Sequence, residues 1–100
     1  MRRHGRIDAN QHDIVDALRS VGASVVSLAS IGDGCPDLLV GWRERNYLLE
    51  VKDGNKPVSQ QALTPDQLAW VNAWRGQWAR VTTIAEAFST LGIKSGHERH

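Results

Sequence analysis

The chain has too little of several things to belong to several kinds of protein. With one cysteine, Cys35, in 100 residues it can form no intrachain disulfide. That scarcity fits a reducing cytoplasm, with Cys35 expected as a small buried filler. No apolar run approaches the roughly 20 residues of a membrane span, and the basic start carries no apolar core of the signal-peptide kind. A protein without a membrane segment is expected, in the cytoplasm. An excess of one charge is also missing. Lys and Arg number 12 against 11 Asp and Glu, a formal net charge of +1, so no global basic field argues for nucleic acid. Only local clusters can: Arg2, Arg3 and Arg6; Arg43 and Arg45; Lys52 and Lys56. The four histidines fall in no H-x-x-x-H spacing, and there is no C-x-x-C, P-loop or internal repeat. At 100 residues the chain is one domain near the lower limit for an adequate core, which favours association.

What is present centres on Gly34 to Lys52. Two runs rich in residues that suit a pleated, buried surface, Leu38 to Trp42 and Tyr47 to Val51, flank the polar Arg43-Glu44-Arg45-Asn46, a β-hairpin pattern. Asp37, Glu50 and Lys52 interrupt it. Side chains alternate faces along a strand, so Glu50 and Lys52 share one face and Leu49 and Val51 the other. A turn centred on Glu44 and Arg45 would set Asp37 opposite Lys52 and diagonal to Glu50, roughly 7–8 Å away at Cα. Carboxylates that close repel unless a cation lies between them, and oxygen ligation suits Mg²⁺ or Mn²⁺. The Val51 carbonyl, between the two side chains, is a further candidate ligand. Such an ion polarises a phosphoryl oxygen and acidifies a bound water, and Lys52 can orient that water or offset charge on the phosphate. The chemistry indicated is metal-assisted phosphodiester hydrolysis.

Around this hairpin, Ala9 to Val21 reads as an amphipathic helix with Ile14, Ala17, Leu18 and Val21 at helical spacing, Asp8 as its N-cap and Gly22 as its stop. Ser24 to Ala29 reads as a first strand. Gly32 and Gly34, just before Pro36-Asp37, allow a sharp turn or a close backbone approach to a phosphate. The polar stretch from Asp53 to Ala62 is a long loop suited to covering a substrate channel. Thr64-Pro65-Asp66-Gln67 then opens a helix with a capping box. Trp70, Val71 and Trp74 form a stripe expected to pack toward the sheet, with Gly76 ending the helix. Trp78 to Thr83 is expected as the last strand and Ile84 to Leu91 as a short helix ending at Gly92. Met1 to Ile7 reads as a flexible basic arm and residues 93–100 as a disordered tail.

Pro36-Asp37 followed by Glu50-Val51-Lys52 resembles the PD-(D/E)xK nuclease superfamily. More narrowly, Gly34-Cys35-Pro36-Asp37-Leu38, Leu49-Glu50-Val51-Lys52 and Leu63-Thr64-Pro65-Asp66-Gln67 with Trp70 look like the small phage-type VRR-NUC domains, over residues 8–92. The resemblance implies an α/β restriction-endonuclease-like core, a mixed central sheet flanked by helices in the order α-β-β-β-α-β-α. It also implies that Asp37 and Glu50 bind metal, that Lys52 is catalytic and that Gln67 lies at the site. A polar residue of the first helix, here Gln11, approaches the site in that family. Gln11, Gly34, Arg43, Arg45 and Lys56 are thus candidate site or DNA contacts. The expected activity is Mg²⁺- or Mn²⁺-dependent DNA cleavage by a homodimer, on branched DNA as in Holliday junction resolvases. Less selective endo- or exonucleases, restriction-type nucleases and a non-enzymatic nucleic-acid-binding module are the alternatives.

Overall fold

The computed structural model describes residues 8–94. The basic arm expected at residues 1–7 and the end of the tail, residues 95–100, lie outside them. The elements run α1 (Gln11–Ser20), β1 (Ser24–Ser27), β2 (Leu38–Trp42), β3 (Arg45–Val51), α2 (Val58–Gln61), α3 (Pro65–Ala73), β4 (Trp78–Val81) and α4 (Ile84–Leu91). The four strands form one mixed sheet in the order β1-β2-β3-β4. The first three are antiparallel neighbours and β4 runs parallel to β3. A parallel pair cannot be joined by a tight turn, so the chain crosses over through α2 and α3 before β4 begins. The short α2 lies inside the stretch expected to be a bare loop. Among the described residues no helix is long and apolar enough to cross a membrane.

Alternation along the strands builds the core on one face. Val25, Leu38, Val40, Leu49, Val51 and Val81 point toward Ile14 and Leu18 of α1 and Ala87, Phe88 and Leu91 of α4. Leu18, Val40, Leu49 and Val81 are fully buried, each contributing roughly 1.5–3 kcal/mol by removal from water. Ile93 is buried in the same cluster, so the packed domain extends beyond Gly92 and the expected tail does not begin at residue 93. Helix α1 starts later than expected. Asn10, not Asp8, is its N-cap residue, and Asp8 contributes only its carbonyl, which accepts from the Gln11 N–H. The first strand ends at Ser27, two residues short of Ala29.

The register of the β2–β3 hairpin corrects the sequence reading. Leu38 faces Leu49 and Trp42 faces Arg45, so the turn is Arg43-Glu44 and not Glu44-Arg45. Both turn residues have left-handed backbone, φ 50° and 69°. This two-residue turn matches strand twist but favours Asn-Gly over Arg-Glu. The Arg43 guanidinium lies 5.2 Å over the Trp42 ring, a contact that offsets part of the backbone cost. Replacing Arg43-Glu44 by Asn-Gly should therefore raise stability by about 1 kcal/mol, read as an upward shift in Tm.

Trp42 packs against the core, but the tryptophans of α3 and beyond do not enter it. Trp74 is 42% exposed and Trp78 37% exposed, and of α3 only Val71 is buried. The helix stops at Ala73, before Gly76, because Trp74 turns into extended backbone. Its indole stacks on Trp70 at 4.8 Å between centroids and donates through Nε1 to the Gln77 carbonyl at 3.3 Å. The two rings thus shield each other, and α3 engages the sheet through its polar first turn.

Candidate active site

The corrected register sharpens the central geometry. Continued by one residue, it sets Asp37 directly opposite Glu50, where the expected register had Lys52. Asp37 stands just before β2, and its carbonyl accepts from the Leu28 N–H at 2.8 Å, extending the β1 side of the sheet. Pro36, which would face Val51 next, brings no N–H to the ladder. Asp37 takes over there, its Oδ2 accepting from the Val51 N–H at 2.7 Å. Glu50 lies on the face of β3 opposite Leu49 and Val51 and is only 3% exposed. Lys52, two residues on, shares that face, as alternation required. Its Nζ is 3.7 Å from Glu50 Oε2 and donates to Gln67 Oε1 at 2.8 Å.

Gln67 joins the helix to this pair. Its Nε2 donates to Glu50 Oε2 at 2.9 Å, and its Oε1 also accepts from the Thr64 N–H at 2.9 Å. Thr64 Oγ1 accepts from the Gln67 N–H at 3.2 Å, closing the expected capping box. The sequence raised capping and site membership as two readings of Gln67, and the side chain serves both. Asp37, Glu50, Lys52, Thr64 and Gln67 line one cavity of about 500 Å³. Asp53, Lys56 and Gln60 line it as well. So do Asp8 and Ala9.

The electrostatics follow from crowding acids away from water. Burial, then the Asp37 charge, pushes Glu50 up to about 8, against the pull of Lys52. Asp37 is raised as well, chiefly by burial, with the Val51 N–H opposing. The two carboxyls crowd each other, so the pair is driven to share a proton or a cation. Cys35 is only half-buried beside them, not the buried filler expected, and its thiol is raised by burial and by both carboxylates. Asp8 adds a third negative charge that raises both acids, a role the sequence reading missed by treating it as a cap. Nothing in its spacing marks it; only the docking of α1 brings it near. Asn10 does that docking, donating through Nδ2 to the carbonyls of Lys52 at 3.0 Å and Thr82 at 2.8 Å.

These residues fit a hard divalent cation. Opposed carboxylates in a buried site require a shared proton or a cation, and their oxygens are the donors that Mg²⁺ and Mn²⁺ prefer. Among the described residues no three His, Cys, Asp or Glu side chains converge at ligand spacing. The Val51 N–H is bonded to Asp37 at the edge of the pair.

The remaining candidates divide. Lys56 lines the cavity. It sits on a loop laced by Gln61, whose Nε2 donates to the carbonyls of Gly54 at 3.2 Å and Lys56 at 2.7 Å. Gln11 is buried in the first turn of α1, its Oε1 without a hydrogen-bond partner among the described residues, and is not part of the cavity wall. Gly34 makes its close backbone approach to α3, with a Cβ there falling 2.3 Å from the Asp66 carbonyl oxygen, rather than presenting itself to the cavity. Arg43 and Arg45 are at the far end of the hairpin, and Arg45 shares the face of Tyr47 and Leu49, opposite to Glu50. They are not in this site. In comparisons with known proteins, no family model, curated protein or solved structure matches the chain.

Proposed function

We propose that this chain is a Mg²⁺- or Mn²⁺-dependent DNA endonuclease of the PD-(D/E)xK kind, with a VRR-NUC-like variant of the restriction-endonuclease core. The observation that carries the reading is the direct opposition of Asp37 and Glu50 on neighbouring strands, with Lys52 beside them on the same face of one cavity. Apolar strands rarely accept two carboxylates and a lysine without a use for them. Asp37, Glu50 and the Val51 carbonyl would hold the ion, which when bound supplies Lewis acidity toward a phosphoryl oxygen and acidifies a water.

The chain's own groups do the rest. Lys52 places a positive charge and hydrogen-bond donors at the point where negative charge grows on the phosphate. Gln67 fixes the Lys52 ammonium by accepting one of its hydrogens, leaving the others to the substrate or the attacking water. Lys56 offers a second cation, on a loop tied down by Gln61, for a flanking phosphate. Branched DNA is the substrate we favour. A C₂ homodimer would suit the two-fold symmetry of a four-way junction. A cytoplasmic location accords with the lone thiol.

Labelled four-way junction, flap and linear duplex, each incubated with Mg²⁺, Mn²⁺ or EDTA, test this. Paired, metal-dependent nicks confined to the junction are expected. Equal cleavage of all three substrates would remove the branch preference, and no cleavage with either metal would remove the nuclease.

A further inference from the structure

Two contacts converge on the first turn of α3. One is the capping box, in which Gln67 Oε1 accepts both the Thr64 N–H at 2.9 Å and the Lys52 ammonium at 2.8 Å. Two donors on one side fix the orientation of the carboxamide, so its Nε2 is turned to Glu50. The other is Gly34, at φ +85°, where an added Cβ would lie 2.3 Å from the Asp66 carbonyl oxygen and 3.0 Å from the Gln67 nitrogen. The loop that delivers Asp37 is thus pressed against the same turn that carries Gln67. Beyond that turn α3 has little anchorage, since Val71 is its one buried residue.

We propose that the first turn of α3 is the device that aims Lys52, with Thr64 and Gly34 as positioning residues acting through Gln67. Neither need touch substrate. Thr64 sets the turn by capping it, and Gly34 sets its distance from the sheet by leaving room for the Asp66 carbonyl. Gln67 passes both settings to Lys52 Nζ, which it holds nearer than Glu50 does, 2.8 Å against 3.7 Å. A shift of the turn by an ångström would return the ammonium to the carboxylate pair or release it to solvent. Reactive geometry tolerates little displacement of this size. The inference concerns the site proposed above and rests on that reading for its catalytic consequence.

The test uses the full chain as wild type, Thr64→Val, Thr64→Ser and Gly34→Ala. Lys52 modification by an amine-acylating reagent is followed by mass spectrometry in EDTA, with Lys56 of the same molecule as reference. Metal-dependent cleavage gives kcat and KM. Thr64→Val and Gly34→Ala should raise the Lys52-to-Lys56 labelling ratio about five-fold, the scale of a lost cap, and lower kcat by at least as much with KM within two-fold. Thr64→Ser, which keeps the capping hydroxyl, should restore both. Labelling and kcat unchanged in both variants while Tm falls would overturn the inference, as would a Thr64→Val effect that Thr64→Ser does not restore. If Gly34→Ala does not fold, the Thr64 pair decides alone. If wild type does not cleave, the nuclease reading fails and the labelling ratio still decides the positioning.

Discussion

Lys52→Ala will reduce metal-dependent DNA cleavage by about 10³-fold or more in kcat while leaving the chain folded. The fold should survive because the side chain is not part of the apolar core. Its loss leaves Gln67 Oε1 still bonded to the Thr64 N–H and Gln67 Nε2 still bonded to Glu50. The backbone of residue 52 keeps its bonds as well, from its N–H to the Val81 carbonyl at 2.9 Å and to its carbonyl from Asn10. What disappears is the cation held 3.7 Å from Glu50 and facing the cavity. Lys52→Arg should not rescue the rate. A guanidinium keeps its proton at any workable pH, and its planar fork does not fit the single acceptor that Gln67 offers. Single-turnover nicking of end-labelled DNA, with circular dichroism as the check on folding, measures both effects. A Lys52→Ala rate within ten-fold of wild type would take Lys52 out of the chemistry.

Much of the scaffold could be read from residue pattern alone, and the reasons for the failures are physical. Strand β2 and helix α4 occur where the runs Leu38 to Trp42 and Ile84 to Leu91 put them, because each carries one uninterrupted period and a clear stop. The capping box at Thr64 formed as its residues required. The hairpin register was missed by two residues because Arg43 and Glu44 do not advertise left-handed backbone in the way Asn-Gly would. That error displaced Asp37 from its place opposite Glu50 to one opposite Lys52, although alternation had already put all three on one face. Trp70 and Trp74 looked like core by hydrophobic spacing. Spacing cannot say whether a helix docks by its flank or by its end, and α3 docks by its end. Asp8 came near the site through long-range contacts of Asn10 with Lys52 and Thr82 that no local pattern encodes. Gly34 was legible as a close backbone approach, but its partner, the Asp66 carbonyl, was not.

Glu50→Gln should abolish cleavage and, in EDTA near pH 8, make the protein more stable. Glu50 in the folded chain is pushed up to about 8 from an ordinary 4.5, by burial and by Asp37. Between those values the folded state binds a proton that the unfolded state has released. Stability therefore falls as pH rises from about 4.5 to 8 and levels off above, the direction opposite to that of a salt-bridged acid. Asp37, raised by burial, adds to the same slope. The introduced amide can still accept from Gln67 and carries no charge at any pH, so the variant loses the Glu50 part of this slope. At pH 8 it should exceed wild type by up to roughly 4 kcal/mol, the free-energy equivalent of the shift allowing for relaxation of the site. A divalent ion should reverse the order. Wild type gains stability in proportion to the logarithm of ion concentration over Kd, roughly 2.7 kcal/mol at 100 times Kd, whereas the variant, with one carboxylate fewer, gains little. Thermal unfolding of both proteins at pH 5 and pH 8, in EDTA and in MgCl₂ or MnCl₂, reads all of these differences. A wild-type Tm that is flat with pH in EDTA would mean that the two acids are not forced together, and a Tm indifferent to either metal would remove the cation from the site.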